Sequence, residues 1–169
     1  GALAWFHAAS VGETNAVLPL MSALKERRPD LSILLTTGTV TSARLAAVRL
    51  PRGMIHQYVP LDAPAYVRRF LDHWQPDLAV FTESEIWPNL ILETAARATP
   101  IAIVNARMSK GSFGSWRRSG SMAHALFSRI DAALAQNRVF ALRYNDLGVR
   151  RALDTGNLKI DAPPLPVDA

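Results

Sequence analysis

The stretch Leu3-Ala4-Trp5-Phe6-His7-Ala8-Ala9-Ser10-Val11-Gly12-Glu13 decides the fold class. An apolar run, Leu3 to Phe6, stops at small residues, and a glycine and an acid follow. Behind them Val17, Leu18, Leu20, Met21 and Leu24 recur at helical spacing. A short continuous apolar run, a tight turn and a periodic segment spell a buried strand, a turn and a helix N-terminus. In an open α/β sheet such turns stand at the carboxyl ends of strands, where ligands bind. Small residues let a ligand approach the backbone, and the free N–H groups of a first helical turn favour anions. Glu13 therefore stands at the mouth of a cleft. On these residues alone it is either a functional acid or a charge that complements the helix macrodipole.

The same grammar repeats down the chain. Strand-like runs at 31–35, 55–60, 78–81, 101–104 and 131–135 alternate with helical patterns at 14–28, 43–50, 63–74, 90–98, 115–130 and 138–146. A last strand is expected within 154–159. Strand–helix alternation predicts an α/β fold with a parallel sheet covered on both faces. One domain is expected over residues 1–161, with the proline-containing 162–169 as a linker or tail.

Composition narrows the chemistry. With 169 residues, 49% of them hydrophobic, the chain is long enough for a sizeable core. It has no cysteine and four scattered histidines, so thiolate chemistry is excluded and no metal site is expected. No apolar run approaches the roughly 20 residues that span a bilayer. The net charge of +5 points to anionic partners. Its basic residues are dispersed and match no recognised module, so nucleic acid is not expected among them. No G-x-G-x-x-G follows the first strand, no G-x-x-x-x-G-K-[ST] occurs, and no G-x-S-x-G is present. Dinucleotide, P-loop and α/β-hydrolase readings fall away.

What remains is a set of polar loops at strand ends: 7–13, 36–42, 82–89 and 105–112. Thr36-Thr37-Gly38-Thr39 suits a phosphate or sugar hydroxyl, or else supplies caps and turns. Glu83 and Glu85, two apart, would point the same way in extended backbone, and beside Ile86 and Trp87 one could have a raised pKa. The alternative is that one caps the following helix and the other meets an arginine. Trp87 is expected in the core, and Asn89 is expected to tie two loops together. Arg107, Ser109, Lys110 and Ser112 form a basic, hydroxyl-rich loop suited to a phosphate. His7 reads as a buried, hydrogen-bonded histidine.

Taken in order, His7-Ala8-Ala9-Ser10-Val11-Gly12-Glu13, Thr36-Thr37-x-Thr39, Leu61-Asp62, Glu83-x-Glu85-x-Trp87-Pro88-Asn89, Asn105-Ala106-Arg107-Met108-Ser109 and Gly156-Asn157-Leu158-Lys159-x-Asp161 resemble the N-terminal half of the 3-deoxy-D-manno-octulosonic acid (Kdo) transferases. The resemblance covers nearly the whole chain. It implies a Rossmann-like acceptor-side domain, one half of a B-type glycosyltransferase that moves Kdo from CMP-Kdo to the bisphosphorylated lipid A precursor. It further implies no metal or other cofactor, a donor bound mainly by a C-terminal half, and work at the cytoplasmic face of the Gram-negative inner membrane. Contact with that anionic surface would be peripheral or through an upstream anchor. Glu13 falls on the proposed general base. Ser10, Gly12, Thr37, Thr39, Glu83, Glu85, Asn89, Arg107, Ser109 and Lys110 become candidates for substrate binding. Two positions depart from the pattern. Val40 and Ser42 stand where the second loop often has proline and glycine, and Trp116 stands where a tyrosine is usual. The isolated half is expected to be inactive. The competing expectation is a stand-alone, non-catalytic α/β module that binds an anionic ligand or a protein partner.

Overall fold

Strand β1, Leu3–Ala8, is buried along its whole length and lies inside the sheet, two strands from its nearer edge. The computed structural model describes residues 1–160, so the expected linker at 162–169 lies outside the described residues. Six further strands complete one sheet: β2 (Ser32–Thr37), β3 (Ile55–Tyr58), β4 (Leu78–Thr82), β5 (Ile101–Ala106), β6 (Ala132–Ala135) and β7 (Ala152–Asp154). Every pairing is parallel, in the order β3-β2-β1-β4-β5-β6-β7. The chain winds outward from β1 to β3, then crosses to β4 on the other side of β1. That reversal is a topological switch point, where the crevice of an open α/β sheet forms.

Period-2 alternation sorts the strand side chains between two cores. Ala4, Phe6, Ile33 and Leu35 face α1 (Val11–Arg27) and α2 (Val40–Arg49), through Val17, Met21 and Ala46. Trp5, Leu34, Phe81 and Ile103 face the opposite layer. There α3 (Pro64–Trp74), α4 (Pro88–Ala95), α6 (Ser121–Phe127) and α7 (Arg138–Leu147) contribute Val67, Phe70, Ile91, Phe127 and Tyr144. The expected two-faced parallel sheet is what forms.

Several boundaries differ from expectation, among them the starts of α2 at Val40 and of α4 at Pro88. The first helix begins at Val11 because Ser10 caps it, its Oγ accepting the Glu13 N–H. The single helix expected over 115–130 is two, α5 (Lys110–Arg118) and α6, parted at Gly120, whose φ of 51° no helix accommodates. The last strand ends at Asp154. Gly156, at φ 81°, turns the chain into a 3₁₀ turn, Leu158–Ile160, in which Asn157 Oδ1 accepts the Lys159 N–H.

Candidate functional site

The loops leaving β1 and β4 flank the switch point, where His7 pairs in register with Phe81. Glu13 occupies the first turn of α1 and is 8% exposed. Its carboxylate accepts the Ala9 N–H at 2.9 Å and the Ser10 hydroxyl at 3.2 Å. In a common capping box this acid would reach the backbone N–H of the cap residue itself. Here it reaches one residue further back and fastens the strand end to the helix start. Burial pushes the Glu13 carboxyl above the ordinary glutamate range. The Ala9 N–H opposes the shift, Glu85 and Glu83 add to it through like charge, and the Ser10 hydroxyl opposes it.

His7 is 1% exposed, as its place in the first strand predicts. Its Nδ1 lies 3.2 Å from the Thr36 carbonyl, which can only accept, so the hydrogen of that bond sits on Nδ1. Nε2 then faces Glu85, 3.6 Å from its carboxylate. Thr36 Oγ1 accepts the Trp5 indole N–H and donates to the Phe6 carbonyl, which completes a buried network under the loop.

Glu83 and Glu85 do not point the same way. Glu83 has φ 57°, so the backbone between the two is a turn and not an extended segment, and the premise of the parity argument fails. The Glu83 carboxylate turns toward Lys159 Nζ, at 2.6 Å, and toward Arg107 Nη1, at 3.7 Å. Glu85 turns the other way and accepts the Trp87 indole N–H. Burial pushes Glu85 up, but the His7 imidazole and the Trp87 N–H outweigh it, and its carboxyl lies below the ordinary range. The acid with a raised pKa is therefore Glu13 and not Glu85. Trp87 is not a core residue. It is 42% exposed, because its N–H is drawn outward to Glu85. Neither glutamate caps α4. Asp62, from the loop after β3, does so across 28 positions in sequence, accepting the Leu90 N–H at 2.8 Å. Asn89 donates to the Asp62 carbonyl at 2.8 Å and ties the two loops as expected.

The threonine and serine candidates are engaged locally. Thr37 Oγ1 meets His56 Nε2 at 2.9 Å, Thr39 caps α2 in a box closed by Ser42, and Ser109 caps α5. Arg107 is half exposed above Glu83, and Lys110 is exposed on the first turn of α5. A cleft of about 330 Å³ opens between these loops, lined by Ala9, Thr39, Leu61, Asp62 and Trp87, with His7 at its base. It brings together the loops after β1, β2, β3 and β4. Glu13 borders it through Ala9.

Lys159 is the site residue that the residue-by-residue reading missed. It stands in the Gly156-Asn157-Leu158-Lys159 motif, yet nothing local links that motif to Glu83, 76 positions earlier. The link is Asn105, a buried residue at φ 51° where the β5–β6 ladder shifts register. Its Oδ1 accepts the Leu158 N–H at 2.9 Å and draws the 3₁₀ turn back over the site. Among the described residues no cluster of His, Asp or Glu could hold a metal ion.

Comparison with known proteins places this geometry in context. Solved structures share the fold. The Staphylococcus aureus MnaA–UDP co-structure aligns with a TM-score of 0.67 at 16% identity, over 95% of this chain and 45% of that one. UDP-GlcNAc 2-epimerase from Neisseria meningitidis aligns at 0.66 and 11%, over 95% and 47%. MurG from Acinetobacter baumannii aligns at 0.57 and 10%, over 82% and 42%. In sequence, a 3-deoxy-D-manno-octulosonic acid transferase of Rickettsia felis is 39% identical over 98% of this chain and 36% of its own length. That of Haemophilus influenzae is 37% identical over 93% of this chain and 37% of its own length. The chain thus spans just over a third of the length of the curated relatives it matches. The family model described as 3-Deoxy-D-manno-octulosonic-acid transferase (kdotransferase) matches residues 1–162. With a parallel sheet of this order and the H-A-A-S-V-G-E loop at its switch point, the chain belongs to the Kdo transferase family, as its N-terminal domain.

Proposed function

We propose that this domain is the acceptor side of an enzyme that transfers Kdo from CMP-Kdo to a bisphosphorylated lipid A precursor, with Glu13 as general base. The observation that carries the reading is the state of Glu13: buried, held by the Ala9 N–H and the Ser10 hydroxyl, and raised above the ordinary glutamate range. A general base works best when its pKa approaches the working pH and its position is fixed. In the reaction an acceptor sugar oxygen attacks the anomeric carbon of Kdo. The bond from that carbon to the CMP phosphate oxygen breaks, and CMP leaves with the electron pair. The hydroxyl proton passes to the Glu13 carboxylate.

The cleft beside Glu13 suits a sugar acceptor. Trp87 and Leu61 supply apolar wall, while Asp62 and Thr39 supply polar edges. Arg107, exposed on the adjoining loop, and Lys110, exposed on the first turn of α5, suit its phosphates. The donor falls mainly to a C-terminal half, so the 169-residue chain alone is inactive in this reading. The membrane belongs to it as well. A groove of about 460 Å³ between α5 and α7 is lined by Arg117, which pairs with Asp146, by Arg143 and by the exposed Val139 and Leu142, and Lys110 and Arg138 stand in the first turns of the same two helices. This basic and apolar face suits the anionic cytoplasmic surface of an inner membrane.

The test is transfer by the full-length protein from CMP-Kdo to the bisphosphorylated precursor, followed by mass spectrometry, with Glu13→Gln beside it. Product from the wild type and its loss in the variant support the reading. Wild-type protein that binds the acceptor but forms no product points instead to a non-catalytic module for anionic ligands.

A further inference from the structure

The Glu83–Lys159 pair has no part in the reaction just described, yet it is tightly built. Glu83 is almost fully buried, and Lys159 Nζ approaches its carboxylate to 2.6 Å. Three constraints aim that lysine. Leu158 packs its side chain into the core under α1, the Leu158 N–H is held by Asn105, and the Lys159 N–H is held by Asn157. The ammonium also lies against the first turn of α1, where a Cβ on Gly12 would come within 3.6 Å of Nζ. A cation at a helix N-terminus opposes the macrodipole, so this placement does not serve the helix. It serves the carboxylates.

We propose that Lys159 is a positioning residue of the site. Its ammonium holds the buried Glu83 carboxylate beneath the first turn of α1 and balances its charge, so that Glu13 stays ionised and available as a proton acceptor. The role of Glu13 rests on the function proposed above; the electrostatic coupling of Lys159 to Glu13 does not. The charges that act on Glu13 directly are Glu85 and Glu83, and the groups that face those two come from three further elements. Glu83 and Glu85 belong to the β4–α4 loop, with His7 of β1 behind Glu85; Arg107 belongs to the β5–α5 loop, and Lys159 to the 3₁₀ turn. Arg107, 3.7 Å from the Glu83 carboxylate against 2.6 Å for Lys159, is the weaker counter-charge to Glu83, which leaves Lys159 as the principal one.

The experiment follows the Glu13 carboxyl carbon by NMR in full-length protein labelled with ¹³C-glutamate, the signal assigned by its loss in Glu13→Gln. Lys159→Met should raise the Glu13 midpoint by about half a pH unit or more, because Glu83 is left uncompensated. Lys159→Arg should leave it in place. In a Glu83→Gln background the buried carboxylate that Lys159 balances is gone, so adding Lys159→Met should move the midpoint much less. In the transfer assay the acid limb of the pH profile should shift with the midpoint. A midpoint unchanged by Lys159→Met, or raised as far in the Glu83→Gln background as without it, overturns the proposal even if thermal stability falls. Absence of Kdo transfer by the wild type would refute the function proposed above while leaving the midpoint comparison readable.

Discussion

At the scale of single residues, Glu13 and Glu85 are two carboxylates with opposite environments. The folded pKa of Glu13 is raised, so the native state binds its proton more tightly than the unfolded chain does. Its charge therefore costs stability, and the cost sets in as pH rises from the ordinary glutamate value through the raised one. Glu13→Gln keeps an acceptor for the Ala9 N–H and removes that charge. Its melting temperature should exceed that of the wild type at pH 8, and the two should converge near pH 4. Transfer by the full-length enzyme should fall by about a hundredfold or more with little change in KM, the scale of a lost general base. Glu85 has the reverse sign. Its lowered pKa contributes stability above the unfolded value, and that contribution is lost as pH falls through the folded one. Glu85→Gln should thus be destabilised at neutral pH and match the wild type in acid; paired thermal melts would read both. Glu13 was legible because its neighbours in sequence are its neighbours in space. The divergence of Glu83 and Glu85 was not, since the positive φ at Glu83 is held by contacts made over a long range. The Tyr144 hydroxyl, 61 positions on, reaches the Glu83 carbonyl at 3.1 Å.

The elements follow the apolar pattern closely where a strand is buried on both faces, as β1, β2 and β4 are, because a continuous apolar run has few other places to go. They depart from it where capping decides. α4 carries no side-chain cap from its own preceding residue and takes its cap from Asp62, a partner invisible to any local rule. Asp62→Ala should cost about 1 kcal/mol, as other cap losses do; the Asn89 bond to the Asp62 backbone carbonyl remains, and hydrogen exchange should rise at the Asn89 and Leu90 N–H groups that the carboxylate held. Ser10→Ala should cost a similar amount in a denaturant titration. Gly12 is different. No positive φ requires it, and an added methyl would meet Lys159 at ordinary contact distance. Gly12→Ala should therefore leave stability unchanged or raise it by about 0.5 kcal/mol, whereas a leucine there would push Lys159 off Glu83.

For the molecule as a whole, charge and shape have to be read together. A net charge of +5 says only that anions are attracted, and it cannot say where. The fold gives the charge a direction, because parallel strands bring every β–α loop to one end of the sheet. α5 and α7 both start at that end, with Lys110 and Arg138 in their first turns. The exposed Val139 and Leu142 share the groove with Arg117, so basic and apolar groups coincide on one face. The reading of this face as a membrane contact predicts binding to vesicles that contain phosphatidylglycerol and not to neutral ones, measured by co-sedimentation. Raising ionic strength from 0.05 to about 0.5 M should weaken it steeply, since the Debye length shrinks from above 10 Å to a few ångströms. Each basic side chain near an anionic surface contributes about 1 kcal/mol. Replacing Lys110, Arg117 and Arg138 together by serine should then lower the partition coefficient about a hundredfold. The same triple change on residues equally basic but remote from the loops, Arg28, Arg52 and Arg129, should lower it far less. Equal losses from both sets would mean that the charge acts without direction, and that α5 and α7 form no membrane face.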